Sequence, residues 1–153
     1  MKDSSINTVN DLTKDHLPLL EKICSVAEEQ ISKRQQASST YPYLIGFHAV
    51  PSMNRLHCHV LSSDLDNENM KHKKHWNSFT TPFFVPLTTV ISILKANKTM
   101  NINESTANEC LKFNLRCHYC CTEMRNMPIL KDHIMRCDSN RWVKSVYNAF
   151  LSH

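Results

Sequence analysis

The sequence predicts an α+β fold in which a long helix packs on an antiparallel sheet and a small metal-binding module follows. Three observations support this prediction. Apolar residues recur at helical spacing early in the chain, two short apolar stretches with period-two alternation come next, and cysteines and histidines with metal-ligand spacing lie towards the end. With 153 residues, of which 41% are hydrophobic, the chain suffices for one domain or for a small domain with an appended module.

The composition restricts the classes of function. A net charge of +4 permits nucleic-acid binding without requiring it. The single glycine, Gly46, excludes glycine-rich phosphate loops, because the P-loop and the dinucleotide-binding loop both need several glycines. Without an 18-residue apolar run or a signal-peptide core, we expect an intracellular protein that makes no membrane contact. Four of the seven cysteines lie between residues 110 and 121, which indicates metal binding rather than disulfides.

The first predicted elements are a disordered N-terminus and a long helix. The N-terminus comprises residues 1–12, and the helix runs from about Thr13 to Arg34, with Thr13 or Asp15 as its N-cap. Apolar positions recur every three to four residues, and charged residues populate the opposite side. We interpret this element as a scaffold helix that covers a sheet.

Two strands are predicted next, as an antiparallel hairpin. Residues 43–50 form the first strand, residues 51–54 the turn, and residues 55–61 the second strand. Successive side chains of a strand point to opposite faces. The second strand is therefore expected to present two sets of side chains: Leu56, Cys58 and Val60 towards the core, and Arg55, His57 and His59 on the other face.

Two imidazoles and a guanidinium on one strand face are poorly suited to burial but well suited to binding a phosphate. Gly46 and His48 share one face of the first strand. If that face also carries the other histidines, His48 adds a third imidazole to the site. A glycine weakens a strand unless a group must approach the backbone closely, which suits a ligand-facing position.

A basic run that ends in aromatic residues follows a polar loop and extends over residues 70–79. Its candidate DNA contacts are Lys73, Lys74, His75 and Trp76. Positive charge beside a stacking ring suits contacts to DNA phosphates next to an exposed base. The alternatives are that the lysines form an ordinary solvated face and that Trp76 is buried.

Two connecting elements precede the cysteine-rich part of the chain. Residues 87–95 are interpreted as a short helix. Residues 97–112 are rich in Asn, Thr and Ser and are interpreted as a linker.

A candidate metal module has the ligand spacing C-x2-C-x12-H-x3-C, which is that of a ββα zinc finger with cysteine as the last ligand. Its predicted ligands are Cys117, Cys120, His133 and Cys137. A tight turn lets the first two thiolates bind one ion, and the last two ligands are expected on one helix face, one turn apart. The sequence therefore predicts one structural Zn²⁺ ion. Alternatively, Cys121 or His118 is a ligand, or the cysteines are ordinary free thiols.

Four stretches of the sequence are distinctive: HAVPSM (48–53), HCHVLSSD (57–64), KKHWNSF (73–79) and LRCHYC (115–120). Through them the chain resembles the aprataxin family, in which a histidine-triad (HIT) domain precedes a zinc finger, from about residue 9 to residue 140. The resemblance implies a partial, HIT-like domain at residues 13–96, and a C2HC finger with a C-terminal helix at residues 113–151. It also implies a nuclear DNA-repair hydrolase that releases AMP from the 5′-adenylated ends that abortive ligation leaves at nicks and single-strand breaks.

The resemblance gives each candidate residue a role. His57, the middle histidine of the triad, would attack the AMP phosphorus and hold AMP covalently until water releases it. His59 would donate to the phosphoryl oxygens, and His48 would bind phosphate or protonate the departing oxygen. Ser52 and Arg55 would bind phosphate. In this arrangement the basic run faces damaged or nicked DNA, and AMP is the product.

Two departures from the family pattern keep other hypotheses open. Arg55 replaces the leading histidine of the triad. The strands that precede the long helix in the family have no counterpart in residues 1–12, so we expect an N-terminally truncated domain with an open sheet edge. The alternatives are a catalytically impaired DNA-binding module that recognises nicks, and a generic HIT hydrolase of nucleotide conjugates, against which the finger argues.

Overall fold

The computed structural model describes residues 6–35 and 42–137, which form two compact units. The histidine unit comprises the described residues up to Ser63 together with residues 85–104, and the finger unit comprises residues 64–84 and 105–137. The chain thus passes between the units three times. This division differs from the predicted boundaries, because residues 64–84 belong with the finger.

The histidine unit begins with two short 3₁₀ turns, Val9–Asp11 and Lys14–His16, followed by helix α1 (Leu17–Gln35). Val9 and Leu12 are buried. The expectation of a disordered N-terminus is therefore wrong for residues 6–12, since these two apolar side chains anchor the segment. Thr13 caps the second 3₁₀ turn instead of α1.

A three-stranded sheet lies in the order β2-β1-β3. Its strands are β1 (Tyr43–His48), β2 (His59–Ser62) and β3 (Phe84–Pro86). The first two pair antiparallel, with Gly46 opposite His59. The predicted antiparallel pair and the α+β class are confirmed.

The bounds predicted for the second strand are wrong. Residues 49–58 form a loop, in which Arg55 has a φ of 81°, and a left-handed residue cannot belong to an extended strand. Val60 is 41% exposed rather than part of the core, because it lines an open cavity of about 390 Å³ together with Val26 and Tyr43.

Residues Leu87–Lys95 form helix α3, which confirms the predicted short helix. Helix α1 contacts both β1 and α3. The core of the histidine unit includes Leu20 and Ala27 of α1 with Leu87, Val90 and Leu94 of α3. The exposed side chains of Lys95 and Glu21 form a salt bridge of 3.1 Å between these two helices. Within residues 6–35 and 42–137, each helix is too short or too polar to span a lipid bilayer.

The finger unit contains helix α2 (Lys73–Thr80), most of helix α4 (Glu104–Cys110) and helix α5 (Met127–Ile134). The predicted linker 97–112 therefore contains a helix, whose Ala107 and Cys110 side chains are buried. Helix α5 begins after Asn126, whose side-chain oxygen accepts a hydrogen bond from the Ile129 N–H at 3.0 Å. The C-terminal helix predicted at residues 141–151 lies outside the described residues.

Candidate functional site

Three imidazoles lie together at the junction of β1 and β2. The ring centroids of His48 and His59 are 4.2 Å apart with an interplanar angle of 36°. Those of His57 and His59 are 4.8 Å apart with an angle of 66°. The structure thus brings together the three predicted catalytic histidines, although His57 precedes β2 instead of lying within it.

The strand register explains this grouping. Because Gly46 pairs with His59, His48 is the diagonal neighbour of His59 on the same face of the sheet. Gly46 is buried and has no side chain, so it leaves space beside the His59 ring. The predicted ligand-facing position of this glycine is consistent with that geometry.

His57 is oriented by the backbone. Its Nδ1 atom lies 3.2 Å from the carbonyl oxygen of Arg55. A carbonyl only accepts hydrogen bonds, so in the neutral ring this contact favours the proton on Nδ1 and leaves the lone pair on Nε2. Arg55 holds its carbonyl in place at a φ of 81°, a left-handed conformation that costs about 1 kcal/mol or more in a residue with a side chain. Sequence patterns do not predict this role, because it belongs to a backbone atom.

The environment keeps two of the imidazoles neutral. Burial, followed by the neighbouring His59 and His57 rings, lowers the pKa of His48 to about 3. Burial and the His57 ring also lower the pKa of His59. At neutral pH both rings therefore act as neutral hydrogen-bond donors or acceptors.

We expect the free energy of unfolding to fall as the pH is lowered from 7 to 5. His48 takes up its proton below pH 6.5 when the chain is unfolded, but only near pH 3 when it is folded. The unfolded state thus binds more protons in this window and gains stability as the pH falls. Because the ring is only partly buried, we expect a loss of about 1 kcal/mol. Urea unfolding at several pH values measures it, and a pH slope that is unchanged in His48→Gln would contradict the assignment.

Ser52 and Arg55, the predicted phosphate-binding residues, lie exposed in the loop 49–58. Their side chains are accessible to a phosphate group. Cys58 is half-buried, and burial raises the pKa of its thiol to about 11. This thiol therefore stays protonated at neutral pH and does not compete with histidine as a nucleophile.

The four predicted metal ligands form one cluster in the finger unit, with their ligand atoms all within 4.8 Å of one another. The Sγ atoms of Cys117 and Cys137 are 3.8 Å apart, and Cys120 Sγ lies 3.3 Å from His133 Nε2. Tetrahedral coordination with Zn–S bonds of about 2.3 Å and Zn–N bonds of about 2.0 Å requires about 3.8 Å and about 3.5 Å for these pairs. The donor set thus fits a four-coordinate metal ion.

The alternative ligands are excluded from this cluster. His118 is buried and packs against Trp76 and Tyr119, with ring centroids at 5.0 Å and 3.9 Å. Cys121 is exposed, in a left-handed conformation with a φ of 62°. One detail of the prediction is wrong: Cys137 lies in the turn after α5, because that helix already ends at Ile134.

Trp76 is a core residue of the finger unit. It is 1% exposed, and its Nε1–H donates to the carbonyl oxygen of Arg116 at 2.9 Å. The next residue, Asn77, donates through Nδ2 to the carbonyl oxygens of Leu111 and Phe113. The predicted stacking of Trp76 on a DNA base is incompatible with this burial, and the alternative that the ring is buried is confirmed.

The other predicted DNA contacts are on the surface. Lys73, Lys74 and His75 are all exposed at the start of α2. Lys73 Nζ donates to the carbonyl oxygen of Lys112 at 3.1 Å, and His75 Nδ1 lies 3.0 Å from the carbonyl oxygen of Asn69. Lys74 is therefore the best placed of the three to contact a phosphate.

Known proteins resemble this chain along most of its length. Residues 1–75 match the family described as "Scavenger mRNA decapping enzyme C-term binding", and residues 80–138 match the "C2HE / C2H2 / C2HC zinc-binding finger". Aprataxin of Gallus gallus is 38% identical over 140 residues, which cover 92% of this chain and 42% of that protein. The chain thus spans less than half the length of this curated relative.

Two solved structures share the HIT-like α+β fold. The aprataxin ortholog Hnt3 from Schizosaccharomyces pombe aligns with a TM-score of 0.63 and 26% identity, covering 92% of this chain and 73% of that one. Hnt3 in complex with DNA and guanosine aligns with a TM-score of 0.60 and 26% identity, covering 90% and 74%.

Proposed function

Since the chain belongs to the aprataxin family, we propose that it is a DNA-repair hydrolase that removes AMP from the adenylated 5′ ends of nicked DNA. The observation that carries the proposal is the group of three imidazoles. Within it, the contact between His57 Nδ1 and the Arg55 carbonyl leaves the lone pair on Nε2, where it can act as the nucleophile. The Hnt3 complex with DNA and guanosine supports DNA as the substrate class. A protein with this role would act in the nucleus.

The reaction has two steps. In the first, Nε2 of His57 forms a bond to the phosphorus of the AMP group, and the bond from that phosphorus to the bridging oxygen of the DNA 5′-phosphate breaks. In the second, a water oxygen forms a bond to phosphorus while the P–N bond breaks, which releases AMP and restores His57. The water proton leaves to solvent or to a neighbouring imidazole.

The other two histidines stabilise charge in this scheme. His59 and His48 are neutral, so each ring carries one N–H group that can donate to a phosphoryl oxygen as charge builds up. The leaving group is a phosphate whose second pKa is about 6, so it departs at neutral pH without needing a proton. Of the two roles considered for His48, the lowered pKa therefore favours phosphate binding over proton donation.

The finger supplies the second part of the proposal. Cysteine thiolate and imidazole donors in tetrahedral spacing suit Zn²⁺, and four protein ligands make the ion structural. We propose that the exposed Lys74 and Arg125 contact the phosphates of DNA near the break. Two other arginines of the unit already have protein partners: Arg116 pairs with Glu123, and Arg136 pairs with Asp132.

One observation favours a second candidate, a catalytically impaired module that recognises nicks. Arg55 stands where the family pattern has its leading histidine, and its permanently charged guanidinium cannot replace a neutral imidazole. The replacement of histidine by Arg55 does not remove the contact to His57, because that contact is made by the backbone carbonyl, which every residue type possesses.

The experiment that decides between the candidates is an incubation of the full chain with a nicked duplex that carries a 5′-adenylate. We expect each protein molecule to release many molecules of AMP. Chromatography measures the released nucleotide, and a gel assay measures the change at the DNA end. Binding to nicked DNA without AMP release would support the second candidate. Cleavage of a small adenosine phosphoramidate without any use of adenylated DNA would support a generic HIT hydrolase instead.

A further inference from the structure

We infer that residues 6–12 orient the nucleophile, and that Asn10 is a positioning residue for His57. The segment holds the peptide unit that hydrogen-bonds the His57 ring. This inference rests on the proposed role of His57, but the clamp itself is a structural property that can be measured without a substrate.

One peptide unit connects the N-terminal segment to the site. The carbonyl oxygen of Arg55 lies 3.2 Å from His57 Nδ1, and the N–H of Leu56 donates to the carbonyl oxygen of Ile6 at 2.9 Å. These two groups belong to the same peptide bond, which is planar and directs its C=O and N–H to opposite sides. Rotation of this plane would break both contacts together. The hydrogen bond to Ile6 therefore fixes the direction of the carbonyl that orients the ring.

This peptide unit needs an external restraint. Arg55 is in the left-handed region with a φ of 81°, which is unfavourable for a residue with a Cβ atom and persists only where the surroundings impose it. Its side chain is exposed, so burial of the guanidinium does not impose the conformation. The hydrogen bond between Leu56 and Ile6 is a restraint of the required kind.

The segment that carries Ile6 is itself firmly held. Asp11 Oδ2 accepts hydrogen bonds from the N–H groups of Asn7 at 2.9 Å and Thr8 at 2.8 Å, and Val9 and Leu12 are buried. These interactions give the segment a defined local shape. Burial of Val9 and Leu12 anchors one side of the segment, and its exposed side requires a separate attachment.

Asn10 provides that attachment. Its Nδ2 donates to the carbonyl oxygen of Ile102 at 2.9 Å, and its Oδ1 accepts from the N–H of Ile102 at 2.8 Å. Only a side-chain amide offers a donor and an acceptor with this spacing, so Asp would lose one bond and Ala both. Asn10 is exposed, so its substitution leaves no cavity.

The test compares Asn10→Ala with wild type and with Lys14→Ala. Lys14 is a matched control, because its Nζ donates to Asn97 Oδ1 at 2.8 Å and so bridges to the same loop from outside residues 6–12. In Asn10→Ala we expect the Leu56 amide to exchange with solvent about tenfold faster and the Nδ1–H tautomer of His57 to lose population in ¹⁵N NMR spectra. We expect kcat for AMP release to fall about tenfold with KM unchanged, since orientation matters in the transition state.

Lys14→Ala should change the Leu56 exchange rate, the His57 tautomer population and kcat by less than about twofold each. Asn10→Asp, which keeps the acceptor, should be intermediate and serves if the alanine variant fails to fold. Unchanged Leu56 exchange and His57 tautomer in both Asn10 variants would overturn the inference, as would a wild-type Leu56 amide that exchanges as fast as that of Asn54. If both quantities shift but wild type releases no AMP, the clamp is supported and the proposed function fails.

Discussion

His57→Ala is expected to lower the rate of AMP release from adenylated nicked DNA by at least about 10³-fold, because it removes the nucleophile of a two-step reaction. The covalent intermediate should disappear with it. With a radiolabelled adenylate, wild-type protein quenched during turnover should retain label through denaturing electrophoresis, and the variant should carry none. Binding to nicked DNA should be nearly unchanged, since the candidate DNA contacts lie in the finger unit.

His72→Ala is the matched control for this experiment. It also removes an imidazole, but one that is exposed and lies outside the three-histidine group, 5.5 Å from the His75 ring. His59→Ala should lie between the two, with a loss of about 10²-fold, because it deletes one donor to the phosphoryl oxygens and leaves the nucleophile in place. Retention of the labelled adduct in His57→Ala would disprove the assignment of the nucleophile.

Removal of the metal ion is expected to unfold the cluster region of the finger unit. Structural Zn²⁺ in small finger modules contributes about 10–16 kcal/mol of apparent binding free energy, which exceeds what so small an apolar core supplies. Wild-type protein should contain about one zinc ion per chain. Chelation should abolish the dispersion of the finger signals in NMR spectra, and added Zn²⁺ should restore it.

The adjacent cysteines Cys120 and Cys121 offer a paired comparison. Cys120→Ser should lower the zinc content strongly, because its Sγ belongs to the ligand cluster. Cys121→Ser should leave the zinc content unchanged, since this exposed thiol lies outside the cluster. Equal zinc loss in the two variants would mean that the ligand set is assigned incorrectly.

Local spacing was sufficient to predict the metal cluster and the grouping of the histidines. The metal ligands come in two pairs that are close in sequence, Cys117 with Cys120 and His133 with Cys137. Residues so close in sequence are also close in space, so the spacing alone predicts the cluster. Helix α3 could also be predicted from the sequence, because its apolar positions repeat at helical spacing. The antiparallel pairing of β1 and β2 followed from two alternating stretches near each other in sequence.

The features that could not be predicted depend on backbone conformation or on distant contacts. The left-handed Arg55 ends the extended conformation before His59, and arginine gives no signal for that φ value. Likewise, the burial of Trp76 depends on the backbone of residue 116, forty positions away. A basic run that ends in an aromatic residue is compatible with a solvent-exposed or a buried ring, and only tertiary packing decides which.

The connectivity of the two units limits how this protein can be divided. The chain leaves the histidine unit after Ser63, returns at Val85 and leaves again after Glu104. A finger fragment that began at residue 113 would lack Trp76 and Asn77, whose side chains bind the backbone of residues 111, 113 and 116. No single cut in the polypeptide separates the two units whole, so neither can be gained or lost as one contiguous gene segment.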